Sequence, residues 1–595
     1  MLIIMAFDSG KSRYTAGQTH FAAYLRWNGL TYSTAPTKSK PSRSLLYNVS
    51  GLVKPGEFLA IMGPSGAGKS ILLNALSGKR QDLIKENGDV LLNGRNIETI
   101  SYKSMIGVIP QEDILIETLT PIESLKYAAD FTIDADDDLK YKLVEQCIEE
   151  LGLTGCKNTI IGGVLRRGLS GGEKKRVSIG LEIIYNPSVL FLDEPTTGLD
   201  SYTALSIVQL LKFLAEVKGR TVIASIQANS QMFAIFDRLL LLSAGRVAYM
   251  GPAKEAVGYF AGIGYPLPDN YNPADHFLNV LNEKSYKEKL ESSNIRASWS
   301  NKKTEEGVDS DLSQEEQAVQ PSSHYVAPFF YGLWILICRA FMDLKRNPVF
   351  VKTKLYKLFL SVGLIVLCFS DLPSSNASAI TDRKGCIFAI IATLYIEAHT
   401  FVLSTFNTQK KMFLREYRVE KYGIVAYFVS YNITMFPIEL IWNFGYMAIA
   451  YYIIGFNKAP EKFFILCCVC VLVSMSGTSW SQLLVIATGR IDLATSATQL
   501  ILNPFMLGSG FLVNFENLPD WFFPKYLSPY NYAFEIGTRN EFTDLHTIKS
   551  SRLDGTIHKL HLPFQIEEAF GIMIGLIIVL RIFNAILFKH MHRNF

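Results

Sequence analysis

The pattern of hydrophobic and polar residues divides this 595-residue chain into three parts. From residue 1 to about 284, short β-branched runs alternate with amphipathic stretches and glycine-rich turns, which is typical of α/β domains. Residues 285 to about 325 are polar and charged and cannot bury a core, so they are predicted to form a flexible charged linker. From residue 326 onward, long apolar segments predict an all-α transmembrane domain.

Six apolar segments predict the membrane spans, each of which needs roughly 20 residues. They cover about residues 355–369, 385–406, 425–454, 463–488, 493–513 and 570–588. An amphipathic helix at about 329–346 precedes them, and a long loop at about 514–567 separates the last two. Basic residues precede the first span, lie between the second and third, and follow the sixth. The positive-inside rule therefore predicts that both termini are cytoplasmic and that the long loop is outside.

Composition supports a membrane protein and argues against nucleic-acid binding. Apolar residues make up 49% of the chain and charged residues 19%, a shift toward the membrane class. The net charge of +4 is small for this length, so no basic surface of the kind that binds nucleic acid is expected. The sequon that begins at Asn376 lies in a predicted outside loop and is a candidate for N-glycosylation.

A glycine-rich segment follows the apolar run Phe58–Met62 and precedes a helical pattern. It fits G-x-x-x-x-G-K-[ST] without a gap and consists of Gly63, Pro64, Ser65, Gly66, Ala67, Gly68, Lys69 and Ser70. Backbone N–H groups of such a loop hold phosphate at a helix N-terminus. The lysine pairs with the β- and γ-phosphates, and the Ser70 hydroxyl ligates Mg²⁺. ATP and Mg²⁺ are therefore the expected cofactors.

Three polar residues after later apolar runs predict the hydrolytic part of the site. Residues 189–192 form an apolar strand pattern that ends at Asp193, which can orient Mg²⁺ through water. Glu194 follows directly and is placed to act as general base toward the attacking water. Gln111 is a candidate contact for both Mg²⁺ and that water.

The segment Leu169-Ser170-Gly171-Gly172-Glu173 lies between the phosphate loop and the acidic strand end. It offers a second set of backbone amides suited to phosphate. One monomer cannot bring both sets onto one nucleotide, so the site requires two nucleotide domains that face each other. Because this chain has only one such domain, we expect it to work as half of a dimer.

Taken in order, GPSGAGKS, VIPQED, GLSGGEKKRVSIG and LFLDEPTTGLDS resemble the motifs of an ATP-binding-cassette domain. A cassette placed before six spans resembles the white/ABCG half-transporters. KMFLREY and GSGFLVN in the membrane half are similar to the same subfamily. The resemblance covers nearly the whole chain except the N-terminal extension and the linker.

The resemblance implies a head-to-tail dimer of cassettes. Ser170, Gly171 and Gly172 of one subunit would contact the γ-phosphate that is held by Lys69 of the other. Asp200 would lie across the dimer seam. An upstream aromatic residue would stack on adenine: Tyr32 is the candidate, and Trp27 and Tyr47 are the alternatives.

One position departs from the family pattern. Relatives carry a histidine after the strand that follows the LDEP motif, whereas this chain has Gln227 there. A glutamine amide can donate to the γ-phosphate, but it cannot hold a proton as imidazole can. Gln227 is therefore expected to slow hydrolysis without abolishing ATP binding; a tolerated replacement with near-normal turnover is the alternative.

The resemblance also suggests where a transported molecule would bind. Substrate would lie between the second and fifth spans of both subunits, which makes Glu397 and Asn503 candidate pocket residues. For Glu397, a buried structural ion pair is an equal alternative. Phe511 and Leu512 align with the apolar valve at the outward end of the cavity.

The sequence thus predicts an ATP-driven transporter that exports lipid, sterol or amphipathic small molecules, with the plasma membrane favoured over internal membranes. Its predicted partners are a second half-transporter, in a homodimer or a heterodimer, and the lipid bilayer. The alternative is a weakly hydrolysing regulatory subunit of a heterodimer.

Overall fold

The computed structural model of the chain describes residues 23–34, 42–78, 83–98, 105–163, 166–283, 286, 327–370, 377–418, 421–513, 517–519, 521–543 and 564–591. These residues form two units. The first contains the described residues up to Pro328 together with Glu416–Tyr422, and the second contains Phe329–Arg415 and the described residues from Gly423 onward. Apart from Tyr286, the predicted linker lies outside the described residues, as does the sequon residue Asn376.

The strands of the first unit form two sheets. They are β1 Leu25–Thr34, β2 Ser44–Val53, β3 Phe58–Met62, β4 Leu83–Leu92, β5 Arg95–Asn96, β6 Ile106–Ile109, β7 Val189–Asp193, β8 Thr221–Ser225, β9 Arg238–Ser243 and β10 Arg246–Pro252. The smaller sheet is antiparallel and has the order β2-β1-β4-β5. The larger sheet has the order β10-β9-β3-β8-β7-β6 and is parallel except for β10.

The central strand β3 is buried along its whole length. Phe58, Ala60 and Met62 pack into one core, whereas Leu59 and Ile61 face a second core on the other side of the sheet. Burial on both faces is typical of parallel strands that are covered by helices. The carboxyl ends of the parallel strands therefore meet at one edge of the sheet, where such folds bind ligands.

Several helices of the first unit begin at a side-chain cap. They are α1 Lys69–Leu76, α2 Pro121–Thr132, α3 Asp137–Glu150, α4 Gly171–Ile183, α5 Ser201–Glu216, α6 Ser230–Phe233, α7 Ala256–Gly262 and α8 Pro273–Asn282. Thr120, Ser170 and Asp200 cap α2, α4 and α5, and each accepts a hydrogen bond from the backbone N–H three residues later. The predicted α/β nucleotide-binding domain is confirmed.

The second unit is helical. Its helices are α9 Phe329–Arg346, α10 Pro348–Phe369, α11 Ala377–Arg418, α12 Ile424–Ile454, α13 Pro460–Thr488, α14 Ile491–Leu507, α15 Pro524–Leu527, α16 Pro529–Phe542 and α17 Ile566–Met591. All six predicted apolar segments lie largely in helices, namely α10, α11, α12, α13, α14 and α17, and α9 coincides with the predicted amphipathic helix.

Four helices in the described part of the chain are long and apolar enough to cross a membrane: Ile380–Leu403 within α11, and the whole of α12, α13 and α17. The other two candidates fall short for different reasons. Helix α10 carries three lysines in its first half, and α14 has only 17 residues. A count of six spans therefore stays a prediction.

Two features of the second unit differ from what the sequence predicted. Helix α11 continues without a break for 42 residues, about 63 Å at ~1.5 Å per residue, so the basic segment after the second span is helical as far as Arg418. The region that was predicted as a long loop contains α16, which is almost entirely buried.

Helix α16 is fixed by both apolar and ionic contacts. The Tyr530 ring lies 4.9 Å from the Tyr395 ring of α11, measured between centroids. Glu541 forms a buried ion pair with Arg383 of α11, and Arg383 also donates to the Gly455 carbonyl oxygen at 2.9 Å. Nearly every residue of α16 is buried, so the helix has no solvent-exposed face. Its sequence therefore shows no amphipathic pattern from which a helix could be predicted.

Candidate nucleotide site

The glycine-rich loop joins β3 to α1 and is shaped by backbone conformations that favour glycine. Gly66 and Gly68 have φ angles of 78° and 103°, and Gly68 is the N-cap of α1. The Lys69 ammonium is buried and donates to the carbonyl oxygens of Gly63 and Pro64 at 2.9 and 3.2 Å. Ser65 and Gly66 are exposed. The loop thus presents backbone N–H groups at the N-terminus of a helix, as a phosphate site requires.

Residues from three segments meet at the end of β7. The Ser70 hydroxyl donates to Asp193 Oδ1 at 3.1 Å, and the Ser225 hydroxyl donates to the same oxygen at 2.7 Å. Ser225 Oγ also accepts a hydrogen bond from the Glu194 backbone N–H at 2.8 Å. Sheet register explains the meeting, because Asp193 of β7 and Ser225 of β8 are direct partners. Ser225 is a site residue that sequence reasoning missed.

Glu194 has a left-handed backbone, with φ at 45°. Such a conformation is uncommon outside glycine and persists where the surrounding structure holds it. Its carboxylate accepts hydrogen bonds from Gln111 Nε2 at 3.1 Å and from the Thr197 hydroxyl at 3.0 Å. The structure thus brings Glu194, Asp193, Ser70 and Gln111 together, as the sequence predicted.

A buried lysine of α4 positions the segment that carries Gln111. Lys175 Nζ donates to the Gln111 carbonyl oxygen at 2.9 Å and lies 2.8 Å from Asp113 Oδ1. Lys175 is only 3% exposed, so this pairing holds the loop after β6 against α4. No sequence pattern distinguished Lys175, because it stands among several basic residues of α4.

The Ser-Gly-Gly segment forms the exposed N-terminus of α4. Ser170 and Glu173 make a capping box, and the Ser170 backbone N–H lowers the pKa of the Glu173 carboxyl. A Cβ atom on Gly172 would lie 2.2 Å from Thr203 Cγ2 in the first turn of α5. The two helix N-termini are therefore in close contact, and only glycine fits between them.

Asp200 caps α5 beside this segment. Its carboxylate accepts a hydrogen bond from the Thr203 backbone N–H at 3.0 Å, which lowers the pKa of Asp200. Ser170, Gly171 and Asp200 are all exposed. In the first unit α4 packs against α2, α3, α5 and β6, whereas α1 packs against β2, β7 and β8. The Ser-Gly-Gly segment and the phosphate loop thus lie on different parts of one nucleotide domain.

Gln227 follows the end of β8 by two residues and is exposed. Because β8 lies between β3 and β7, Gln227 emerges at the same edge of the sheet as the phosphate loop and Glu194. A contact between Gln227 and the γ-phosphate stays a prediction.

The structure does not support Tyr32 as the adenine contact. Tyr32 is 2% exposed and packs in the core of the smaller sheet, and Trp27 is fully buried there. Tyr47 on β2 is only partly buried. Its backbone N–H donates to Gly245, whose own N–H donates to Ala67 in the phosphate loop. The physical reason for the correction is that β1 turns its aromatic residues inward.

Comparisons with known proteins support both halves of the chain. Residues 46–197 match the model of the ABC transporter family, and residues 331–542 and 226–327 match two models of the ABC-2 type transporter family. The chain is 34% identical to Protein white of Drosophila melanogaster over 521 residues, which is 85% of this chain and 75% of that protein. This chain belongs to the white/ABCG half-transporters of the ABC family.

Other members of the family are similar over still more of their length. The half-transporter is 32% identical to the "Broad substrate specificity ATP-binding cassette transporter ABCG2" of Sus scrofa, over 84% of this chain and 80% of that protein. It is 30% identical to "ABC transporter G family member 1" of Petunia hybrida, over 95% and 92%. A solved dimer of the ATP-binding cassette MJ0796, bound to ADP and Pi, is 26% identical over 38% of this chain and 98% of that one, with a TM-score of 0.33.

Membership of the family confirms the predicted activity in its general form. The half-transporter binds ATP and couples its hydrolysis to transport across a membrane. It is a multi-pass membrane protein of the ABC transporter family. Its assembly with a second half-transporter stays a prediction.

The four substrate candidates lie at different places in the membrane unit. Glu397 of α11 is partly buried and interacts with the Ser361 hydroxyl and with Lys354. Lys354 in turn forms an ion pair with Glu439 at 3.2 Å. Asn503 is exposed on α14. Phe511 stacks on Phe388 with ring centroids 4.8 Å apart, and Leu512 is 50% exposed. Glu397 therefore belongs to a group of paired charges.

Proposed function

We propose that this half-transporter forms composite ATP sites with a second copy of itself or with a related half-transporter. ATP binding closes the two cassettes, and hydrolysis resets them while a lipid, sterol or other amphipathic molecule is exported. The observation that carries the proposal is the orientation of Glu194, whose backbone is held by Ser225 and whose carboxylate is held by Gln111 and Thr197.

The residues at the strand ends suit Mg²⁺ bound together with ATP. Ser70 Oγ and Asp193 Oδ1 lie 3.1 Å apart, and a hydroxyl and a carboxylate are oxygen ligands that Mg²⁺ favours. The described residues contain no group of three carboxylates, histidines or cysteines that could bind a metal ion. The nucleotide phosphates would therefore supply the remaining ligands, as in other P-loop sites, and the bound ion would neutralise their charge.

Glu194 acts as the general base in this proposal. Gln111 and Thr197 donate to one of its oxygens, Oε2, which leaves Oε1 to accept the proton of the attacking water. Ser170 and Gly171 are exposed at the N-terminus of α4. In the dimer, their backbone N–H groups would contact the γ-phosphate of the ATP that the other subunit holds.

We assign Gln227 the role of the γ-phosphate contact and expect it to limit the hydrolytic rate. The amide can donate a hydrogen bond to the phosphate, but it cannot share a proton with the Glu194 and water pair. This substitution also motivates the second candidate function, a regulatory subunit whose catalytic partner supplies most of the turnover.

ATPase assays on the chain expressed alone in lipid nanodiscs separate the two functions. Vanadate-sensitive turnover that is abolished by Glu194→Gln and raised severalfold by Gln227→His supports an active homodimer with a slow site. Turnover that does not rise in Gln227→His contradicts the role given to Gln227. Absence of turnover in both the wild type and Gln227→His, with fluorescent ATP still bound, supports the regulatory subunit.

We propose amphipathic small molecules as the exported substrate class and the plasma membrane as the location. Glu397→Gln and Asn503→Ala should alter stimulation of the ATPase by sterols and amphipathic compounds while unstimulated turnover stays the same. If neither variant changes the pattern of stimulating compounds, the transport pathway does not pass these two residues. Imaging of a tagged chain tests the plasma membrane.

A further inference from the structure

A polar cluster inside the membrane unit takes no part in the transport scheme above. It consists of Tyr431 on α12, Ser479 and Gln482 on α13, and Arg581 and Asn584 on α17, and we call it the Arg581 cluster. Helices α12, α13 and α17 are among those that can cross a membrane.

Arg581 lies deep within its helix. It is 15 residues from the start and 10 residues from the end of α17, or about 22 Å and 15 Å at ~1.5 Å per residue. A charge at such depth is costly in a bilayer and is found where it has a functional partner. Arg581 is partly exposed, and Ile578 and Ile582 beside it are 52% and 56% exposed.

The contacts that hold Arg581 are neutral. Its Nε donates to Ser479 Oγ at 3.3 Å, and Asn584 Nδ2 donates to the Ser479 carbonyl oxygen at 2.9 Å. Within the described part of the chain, no carboxylate forms an ion pair with Arg581. These hydrogen bonds orient the guanidinium but leave its charge uncompensated.

Several buried polar atoms around the guanidinium make no hydrogen bond among the described residues. They are both amide atoms of Gln482, which is 1% exposed, the Oδ1 atom of Asn584, which is fully buried, and the hydroxyl of Tyr431, which is 5% exposed. The Tyr431 hydroxyl lies beside the side chains of Thr405 and Gln482 without a well-aligned hydrogen bond to either, and it interacts electrostatically with Arg581. Buried polar groups are nearly always satisfied, so a cluster of such atoms beside one charge indicates a ligand.

We propose that the Arg581 cluster binds the carboxylate of a single-chain amphiphile, such as a fatty acid, that enters from the bilayer. Donors outnumber acceptors, since the guanidinium, the Gln482 amide and the Tyr431 hydroxyl all offer hydrogens around a single positive charge. A carboxylate is planar, carries one negative charge and pairs with a guanidinium through two parallel hydrogen bonds. Ile578 and Ile582 provide the apolar surface along which the acyl chain lies.

Photocrosslinking tests the site in the intact protein. The half-transporter in phosphatidylcholine nanodiscs is labelled with a palmitic acid that carries a diazirine, and the crosslinked peptides are mapped. We expect label on α13 and α17, and a loss of roughly tenfold in Arg581→Gln, as for the removal of a charge-assisted hydrogen-bonded pair. Arg581→Lys should retain part of the label. Lys589→Gln, at the end of the same helix, is the matched control and should retain all of it.

Competition identifies the chemistry of the head group. Oleate should suppress labelling, whereas oleyl alcohol, which has the same chain without the charge, should not. Equal competition by the alcohol, or equal labelling of Arg581→Gln and wild type, overturns the proposal. Stronger competition by dodecyl phosphate than by oleate assigns the site to phosphate head groups and also overturns it.

A second set of variants guards against misfolding of Arg581→Gln. Gln482→Leu and Tyr431→Phe remove unsatisfied polar groups while keeping the volume of the side chain, so the fold should survive. Each should reduce labelling severalfold while unstimulated ATPase activity stays at the wild-type level. Full labelling in both variants means that the two side chains do not contact the carboxylate, and it contradicts the proposed site.

Discussion

Replacement of Ser225 by alanine tests whether hydrolysis depends on the link between β7 and β8. Ser225 is fully buried, and its hydroxyl joins Asp193 Oδ1 at 2.7 Å to the Glu194 backbone N–H at 2.8 Å. Alanine removes both hydrogen bonds. Asp193 keeps its hydrogen bond from Ser70, but the Glu194 backbone N–H loses its acceptor, the Ser225 oxygen.

The expected magnitude follows from that unpaired N–H group. A buried donor without a partner costs about 1–3 kcal/mol. Here the cost falls on a residue with φ at 45°, so the backbone can relax toward ordinary conformations and move the general base. Since each 1.4 kcal/mol corresponds to about tenfold in rate, kcat should fall by about 5- to 150-fold. ATP affinity should change little, because the phosphate loop is intact.

ATP turnover in nanodiscs and binding of a fluorescent ATP analogue measure the two quantities. Ser243→Ala is the matched control: Ser243 is also fully buried at the end of a strand of the same sheet, β9, and its hydroxyl donates to the Leu281 carbonyl oxygen at 3.1 Å and not to Asp193 or Glu194. Ser225→Thr, which keeps the hydroxyl, should retain most of the turnover. If kcat of Ser225→Ala stays within twofold of the control, the hydroxyl does not position Glu194.

Two further predictions concern a helix contact and a buried acid. Gly172→Ala would place a methyl group 2.2 Å from Thr203 Cγ2 and displace the start of α4, so ATPase activity should be largely lost. Thr203→Ser removes that methyl group and should restore activity to the Gly172→Ala protein; a double variant as inactive as the single one contradicts the steric argument. In α16, burial raises the pKa of Glu535 to about 7 from 4.5. Between these values the folded state binds more protons than the unfolded state, so stability should fall by about 3 kcal/mol as pH rises from 4.5 to 7 and then level off. Thermal unfolding of the membrane unit should show this slope, and Glu535→Gln should flatten it; an unchanged slope in Glu535→Gln refutes the assignment.

Much of the nucleotide site was predictable because its motifs are local. The turn after β3 needs glycine, the lysine and serine after it open α1, and an acidic pair ends a buried strand. Neighbours in sequence are neighbours in space there, so Lys69, Asp193 and Glu194 could be proposed from the sequence, and their roles stay predictions. The family and the α/β domain followed from the same motifs and are confirmed. The six spans were predicted from apolar length, and the count of six stays a prediction because lysines in α10 and the shortness of α14 weaken the signal.

By itself, the sequence determined the fold of the nucleotide domain and the family, since these rest on residue order and hydrophobic length, and it predicted a second half-transporter. The tertiary structure decided what depends on residues far apart in the chain. Sheet register placed Ser225 against Asp193, and an inward-turned strand removed Tyr32 from the surface. Packing on all sides turned a predicted loop into the buried helix α16, and helix pairing grouped unsatisfied polar atoms around Arg581. Such contacts leave no periodic pattern of hydrophobic and polar residues, because the residues that meet are far apart in the chain.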